Sequence, residues 1–374
     1  AGRFGCFVPG KRRFRRRRQP GNIGTDNVRT GQQHFGRRER HMRKGKLTQA
    51  ALDRSVLRVL KGKQEDVVQY PEYGCGYGAF RNGGEAGGTL TVTACGTSAG
   101  FPGSAPEFAV YEACSHLLAA GAEPTGVTVQ LLLPEEYSEP ELKTLTATLD
   151  QAAGHYGAVI LGGHTEVVPG LVKLVITVTA VGKAKSLPLK AEPELDLVVA
   201  GTIAGSAAAR LAADQREQLL ECFSEGFLND TVKIGEERNL PEAVKIAAEN
   251  GVCQMKAVSR GGIFGALWEM AEQAKVGLDV ELKRIPICQE TIEICEYFSL
   301  NPYQMFCTDT LLAAVPDGAQ LVRKLAGAQI PAAVIGRTTK GKERILRNGE
   351  EIRYLDKPQT DEWYAGEERI ECQS

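Results

Sequence analysis

The chain has 374 residues, of which 43% are hydrophobic and 24% are charged, so it is long enough for two globular domains. It has no run of eighteen apolar residues, which excludes a membrane-spanning helix and predicts no membrane partner. Its ten cysteines form no CxxC pair, so we expect reduced thiols in a cytoplasmic protein rather than a zinc site or a disulfide framework.

The net charge of −1 is unevenly distributed along the chain. Residues 1–44 hold fourteen Lys/Arg and two acids, whereas the other 330 residues hold 31 bases and 44 acids. The run KRRFRRRRQPG could bind nucleic acid or an anionic surface. The segment lacks apolar periodicity, however, and Met42 is a natural initiator. We therefore favour a disordered leader or a start assigned too far upstream, and leave residues 1–44 out of the fold prediction.

Residues 45–185 are expected to form a first domain. An amphipathic helix over 47–60 is followed by a loop rich in Gly and Tyr. Further patterns predict a strand (89–94), a helix (106–120), a strand (126–133), a helix (139–156) and two strands (158–163 and 171–182). The apolar stripe of the second helix consists of Phe108, Val110, Ala113, Cys114 and Leu117.

Residues 186–356 are expected to form a second domain, followed by a disordered tail over 357–374. The patterns predict strands at 195–203, 276–282, 310–315 and 332–338, and helices at 206–228, 241–250, 262–275, 289–299 and 317–327. A hairpin over 344–355 turns at Asn348-Gly349. Because each half mixes strands and helices, the fold class is α+β or mixed α/β.

The segment LGGHTEV places two glycines after an apolar strand. Gly162 and Gly163 would let the backbone approach an anion closely and turn its N–H groups outward. His164, Thr165 and Glu166 then supply a proton carrier, a hydroxyl group and a possible metal ligand. The alternative is an ordinary turn at the end of a strand.

The segment VSRGGIFGALWEMAE places a second glycine pair before a long helix. A helix amino terminus binds anions, and Arg260, beside Ser259, could reach a phosphate in a fork geometry. Gly261 and Gly262 could equally be a simple helix cap. One such pair in each half favours a phosphate-bearing ligand between the halves.

Together with AAGAEP and AAVIGRTT, these segments resemble the aminoimidazole ribonucleotide (AIR) synthase superfamily, most of all its hydrogenase-maturation HypE-like branch. The resemblance covers about residues 45–360. It implies a PurM-like fold, in which the amino-terminal sheets of two chains close into a dimeric barrel beside carboxy-terminal α/β domains. It also implies ATP with Mg²⁺ in an interdomain groove, a cytoplasmic homodimer and a protein partner in maturation.

The resemblance also implies the site residues. Gly162, Gly163, Thr165 and Glu166 match the glycine-rich ligand loop of the family, and Gly261 and Gly262 match the pair that opens the helix of the second domain. The predicted ATP- and phosphate-binding residues are Gly162, Gly163, His164, Thr165, Glu166, Ser259, Arg260, Gly261 and Gly262.

The acids that bind metal in this family are missing. The corresponding positions hold Tyr77-Gly78, Ala94-Cys95 and Ser115-His116. In the second domain, Ala257-Val258-Ser259 stands where the family usually has Asp-Val-Thr before the glycine pair. Mg²⁺ needs carboxylate and phosphate oxygens, so these losses predict a degenerate metal site beside intact phosphate loops. Glu166 and His116 are the remaining candidate metal ligands.

Two functions follow. The first is an ATP-dependent enzyme of the ligase, dehydratase or kinase type, which activates an oxygen by phosphorylation during small-molecule or hydrogenase maturation. The second is a non-catalytic dimeric relative that binds a nucleotide, a metabolite or a partner protein. The acid losses favour the second function, and the glycine pairs favour an anionic ligand in both.

Three further side chains leave alternatives open. His116 lies four residues after Glu112, so the pair could form a softer metal site with His164, although a solvated or dimer-facing pair is favoured. Cys95 could be a nucleophile, but a small buried residue is favoured. Cys372 could carry a reactive group as the terminal cysteine of HypE proteins does, although a free thiol on the tail is favoured.

Overall fold

A computed structural model describes residue 42 and residues 44–82, 88–99 and 105–371. The basic segment 1–41 and Cys372 lie outside the described residues, and the predictions made for them stay predictions. The helices of the described part are α1 (Gln49–Leu52), α2 (Phe108–Ala119), α3 (Glu139–Gly154), α4 (Gly205–Asp214), α5 (Arg216–Leu219), α6 (Glu225–Ile234), α7 (Leu240–Glu249), α8 (Gly262–Ala274), α9 (Gln289–Tyr297), α10 (Gly318–Gly327) and α11 (Glu362–Glu371).

The strands of the described part fall into a six-stranded and a seven-stranded sheet. Those of the first sheet are β1 (Val67–Gln69), β2 (Tyr77–Arg81), β3 (Leu90–Ala99), β4 (Glu123–Leu133), β5 (Val159–Val167) and β6 (Val175–Ala184). Those of the second are β7 (Asp196–Ala200), β8 (Gln254–Val258), β9 (Gly277–Glu281), β10 (Thr310–Val315), β11 (Ala332–Thr339), β12 (Arg344–Asn348) and β13 (Glu351–Tyr354).

The first sheet has the order β1-β2-β3-β6-β4-β5 and is antiparallel except between β4 and β5. Strand β5 therefore lies at an edge. The second sheet has the order β13-β12-β9-β11-β7-β10-β8, so β8 lies at one of its edges. The mixed α/β class expected from the sequence is confirmed.

Helix α2 joins the two sheets. It packs on β3, β4 and β6 of the first sheet, and it also contacts strand β8 of the second sheet and helix α7. The predicted stripe is confirmed, because Phe108, Val110, Ala113, Cys114 and Leu117 are all buried. Most side chains of this helix are apolar, and its polar residues Glu112 and His116 lie where the two sheets meet.

Several boundaries differ from those predicted. Strand β2 lies in the segment predicted as a loop, and β1 lies just before it, where no strand was predicted. Strands β3 and β5 continue to Ala99 and Val167. The helix predicted over 206–228 is broken into α4, α5 and the start of α6, because the Ser224 hydroxyl accepts a hydrogen bond from the Phe227 amide and begins a new helix.

The disorder predicted for the tail is wrong over most of its length. Residues 362–371 form helix α11, and Trp363 is buried. Among the described residues, no helix combines the length and the apolar character that a bilayer crossing requires.

Candidate ligand-binding cleft

A cavity of about 530 Å³ opens where the two sheets meet. Segment 72–76, β3 and α2 line one side, β8 and α8 line the other, and residues 45–47 also contribute to the lining. The polar side chains that face the cavity include Lys46, Cys95, Thr97, Glu112, His116, Lys256, Arg260 and Glu269. We call this cavity the cleft.

A cluster of three charged groups joins Lys46 to the second-domain wall, where Lys256 and Glu269 are buried and the Lys46 side chain is half exposed. The Glu269 carboxylate on α8 accepts from the Lys256 ammonium on β8 at 2.6 Å and from the Lys46 ammonium at 2.5 Å. Lys256 also donates to the Gly74 carbonyl at 2.7 Å. Burial alone would raise the pKa of Glu269, but the two ammonium groups outweigh burial and lower it to about 2. The carboxylate is therefore ionised, and the cluster has one excess positive charge.

A second ion pair connects the two walls. Arg260, just before α8, donates through Nε to Glu112 of α2 at 3.0 Å and also donates to the Thr97 carbonyl of β3. The Thr97 amide in turn donates to Glu112 at 3.2 Å. Only 10% of the Glu112 side chain is exposed, so the expectation of a solvated or dimer-facing Glu112–His116 pair is wrong. The carboxylate instead fixes the arginine at the interdomain seam.

His116 faces the cleft as a neutral imidazole. Burial lowers its pKa to about 4. Its ring lies against Gly76, where an added Cβ would be 2.7 Å from the ring, so segment 72–76 can pass this close only with glycine. His164 lies on β5 and does not line the cleft. Cys95 is exposed on the cleft wall, so its expected burial is wrong.

The glycine pair before α8 is enclosed by protein. Both residues have positive φ, 84° at Gly261 and 63° at Gly262, and a Cβ on Gly262 would be 2.6 Å from the carbonyls of Tyr303 and Met305. The Gly261 amide donates at 2.6 Å to the carboxylate of Asp361. The predicted anion position at this helix terminus therefore holds an acidic side chain of the same chain.

The other glycine pair lies within strand β5, where a strand end was expected. Gly163 pairs with Val129 of β4, and a Cβ there would be 1.8 Å from the Val129 carbonyl oxygen. His164 and Glu166 form a pair with 3.0 Å between Nε2 and Oε2, and both side chains are more than half exposed. Residues 162–166 do not line the cleft, and their ligand role stays a prediction.

The residues of the cleft do not suit Mg²⁺. Its carboxylates Glu112 and Glu269 are held by cationic side chains of the cleft, and Glu72 is paired with Lys190. Mg²⁺ instead needs free oxygen ligands in octahedral geometry. Across the part of the chain that the structure describes, no group of three His, Cys, Asp or Glu side chains has metal-binding geometry. The chemistry available in the cleft is the binding of an anion by cationic side chains.

Four residues of this site were not predicted from the sequence: Lys46, Lys256, Glu269 and Asp361. Only Lys256 gave a usable signal, because it lies between Met255 and Ala257 in a short apolar segment, and an unpaired lysine is almost never buried. Its partner had to come from elsewhere in the chain.

The sequence matches a known protein family over most strands of both sheets. Residues 90–184 match the family described as AIR synthase related protein, N-terminal domain, and residues 197–347 match the corresponding C-terminal domain. The chain belongs to the AIR synthase-related family, and the HypE-like resemblance is confirmed.

Two curated relatives share 27% identity with the chain. A putative hydrogenase expression/formation protein of Methanocaldococcus jannaschii aligns over 209 residues, 54% of this chain and 59% of that protein. Carbamoyl dehydratase HypE of Rhizobium leguminosarum bv. viciae aligns over 230 residues, 59% of this chain and 64% of that protein. The chain thus spans about three fifths of the length of these relatives.

Two solved structures share the fold. HypE in complex with ATP has a TM-score of 0.62 at 17% identity, covering 85% of this chain and 94% of that one. The HypE–HypF complex has a TM-score of 0.60 at 17% identity, and the match covers 75% of this chain and 93% of the matched chain. At these identities the likeness shows the PurM-like fold alone.

Proposed function

We propose that this chain is a HypE-like nucleotide-binding protein that holds ATP in the cleft, with Lys46, Lys256 and Arg260 in the electrostatic role of a divalent ion. The observation that carries the proposal is the Lys46–Glu269–Lys256 cluster, in which two ammonium groups share one buried carboxylate. Its excess charge faces a cavity of about 530 Å³, a volume typical of small-molecule sites.

The charges of the cleft favour an anionic ligand. Three cationic side chains face Glu112 and Glu269, and the third carboxylate of the cleft, Glu72, is paired with Lys190. His116 remains neutral because burial lowers its pKa to about 4. Inside a partly desolvated cavity, an excess positive charge attracts phosphate more strongly than it would in water. The neutral imidazole leaves this field unaltered at neutral pH.

The same arrangement argues against phosphoryl transfer. Enzymes of this kind neutralise charge on the β- and γ-phosphate oxygens as it develops, usually with metal ions. Here Glu269 holds two of the cations and Glu112 holds the third. We therefore propose that the chain binds ATP but hydrolyses it negligibly.

We further propose that the protein acts through partners, as a nucleotide-responsive component of a maturation assembly. The names of the curated relatives and the solved complex of HypE with HypF support this role. We do not propose the carbamoyl dehydratase activity of the Rhizobium relative for this chain, because the sequence predicts that the metal-binding acids of the family are replaced.

A homodimer joined along β5 is part of the proposal. This strand is an edge of the first sheet, and its side chains Val159, Leu161 and Val167 are 59%, 60% and 51% exposed. An exposed apolar edge strand is a ready template for pairing with a second copy. The two domains would then be residues 45–185, which form the dimer, and 186–356, which form the second wall of the cleft.

Titration calorimetry of ATP against the full chain tests the proposal. Lys46→Gln removes a cation whose side chain is 52% exposed, so the fold should tolerate the change. We expect a loss of affinity of about tenfold or more, equivalent to about 1.4 kcal/mol. Lys61→Gln, at an exposed position outside the cleft, is the matched control and should bind as the wild type does. Absence of ATP binding by the wild type, or equal binding by both variants, would contradict the proposal.

A further inference from the structure

Residues 358–364, which we call the strap, cover the amino terminus of α8. Asp361 of the strap is only 5% exposed, and its carboxylate accepts from the Gly261 amide at 2.6 Å and from the Trp363 amide at 2.9 Å. A carboxylate in this position uses the hydrogen-bond donor and the helix dipole that would otherwise act on a phosphate oxygen.

The strap is attached to two other parts of the molecule. Trp363 packs edge-on against Phe306, with 5.4 Å between ring centroids. The Thr360 hydroxyl donates to the Lys44 carbonyl at 3.1 Å, and the Tyr364 ring lies over Gly45. The strap therefore also holds the segment that carries Lys46.

The strap and the cleft share one polar wall. A small cavity beneath the strap is lined by Asp361 and Tyr364 together with Lys46, Arg260 and Glu269, and the last three also face the cleft. An anion that binds Arg260 and Lys46 would thus come close to the Asp361 carboxylate. Two anions at that separation repel each other and cannot both accept from the Gly261 amide.

The docked carboxylate is not strongly stabilised as an ion. Burial raises the pKa of Asp361 to about 6. The hydrogen bonds from Gly261 and Trp363 and the positive charge of Arg260 each lower this pKa, but they offset burial only in part. A ligand with more negative charge could therefore compete with it.

We propose that the strap is an autoinhibitory element: Asp361 holds the α8 terminus as an internal anion, and the phosphate groups of the ligand displace it and release residues 358–364 from the cleft. The inference rests on the proposed function, because it assumes that an anionic ligand binds this cleft. It adds an internal competitor that lowers the apparent affinity.

Hydrogen–deuterium exchange of the full chain, with and without inorganic pyrophosphate, tests the inference together with pyrophosphate calorimetry. Bound pyrophosphate should increase exchange in residues 358–366, and Asp361→Asn should bind it about tenfold more tightly than the wild type does. Thr360→Ala removes the hydrogen bond between the strap and Lys44 without altering α8, Lys256 or Arg260, and it should shift affinity in the same direction. The pyrophosphate affinity of this variant tests the inference independently if Asp361→Asn folds poorly.

The outcomes separate this inference from the proposed function. Pyrophosphate binding with strap release but without ATP binding would support the autoinhibitory role of the strap and reject the ATP assignment. ATP or pyrophosphate binding that leaves exchange in the strap unchanged or lower would overturn the inference and leave the ATP assignment standing. Failure of both variants and the wild type to bind pyrophosphate would also overturn it, because no competing anion would then exist.

Discussion

The two glycine pairs have different surroundings although their sequences suggest one role. Gly162-Gly163 lies in an exposed edge strand, whereas Gly261-Gly262 is enclosed at the start of α8 with a carboxylate on its amide. Yet Gly163 and Gly262 are each required because a main-chain carbonyl lies where a Cβ would be. A glycine pair therefore indicates a close backbone approach, and only the neighbouring charges indicate a ligand.

The charges distinguish the two regions more clearly than the glycines do. On α8, Glu269 is 7% exposed and has two ammonium partners, whereas Glu166 on β5 is 57% exposed beside His164. A buried carboxylate between cations organises its surroundings, while an exposed pair is screened by water. This difference supports the proposal that the ligand binds in the cleft rather than at the edge strand of the single chain.

The largest expected effect concerns stability. Glu269→Gln leaves Lys256 buried without its charge partner, and loss of one member of a buried pair costs about 3 kcal/mol or more. Glu166→Gln is the matched change at the edge strand and should alter the free energy of unfolding by less than about 0.5 kcal/mol. Urea unfolding monitored by circular dichroism measures both. Equal losses of unfolding free energy in the two variants would contradict the distinction between a buried carboxylate in the cleft and an exposed one on β5.

A smaller effect is expected on assembly. Leu161→Lys puts a charge on an exposed position of β5, which should weaken the proposed dimer and leave the folded chain intact. Leu189→Lys, at an exposed position outside this strand, is the control and should leave the oligomeric state unchanged. Sedimentation velocity would show the difference. A Leu161→Lys protein with the same sedimentation coefficient and concentration dependence as the wild type would argue against dimerisation through β5.

Local patterns predicted much of the fold. The strand predicted at 310–315 matches β10, and the apolar stripe of α2 is buried as expected. Strand β8 was missed because Gln254 and Lys256 interrupt its apolar pattern, although both are buried. Their burial depends on partners that no local pattern reveals.

The site was harder to predict because its members are far apart in the chain. Lys46 and Glu269 meet across 223 positions, and Gly261 and Asp361 meet across 100. Arg260 was predicted to contact a ligand and does face the cleft, but its partner Glu112 lies 148 positions away. Periodicity describes one element at a time, so such pairs become visible only once the two sheets are placed together.

The most direct test of the central claim is the dependence of ATP affinity on magnesium. The claim is that cationic side chains, rather than a divalent ion, balance the phosphate charge in the cleft. Titration calorimetry with excess Mg²⁺ and with EDTA should give dissociation constants within about threefold of each other, a difference below about 1 kcal/mol. A magnesium-dependent gain in affinity of about a hundredfold or more would contradict it.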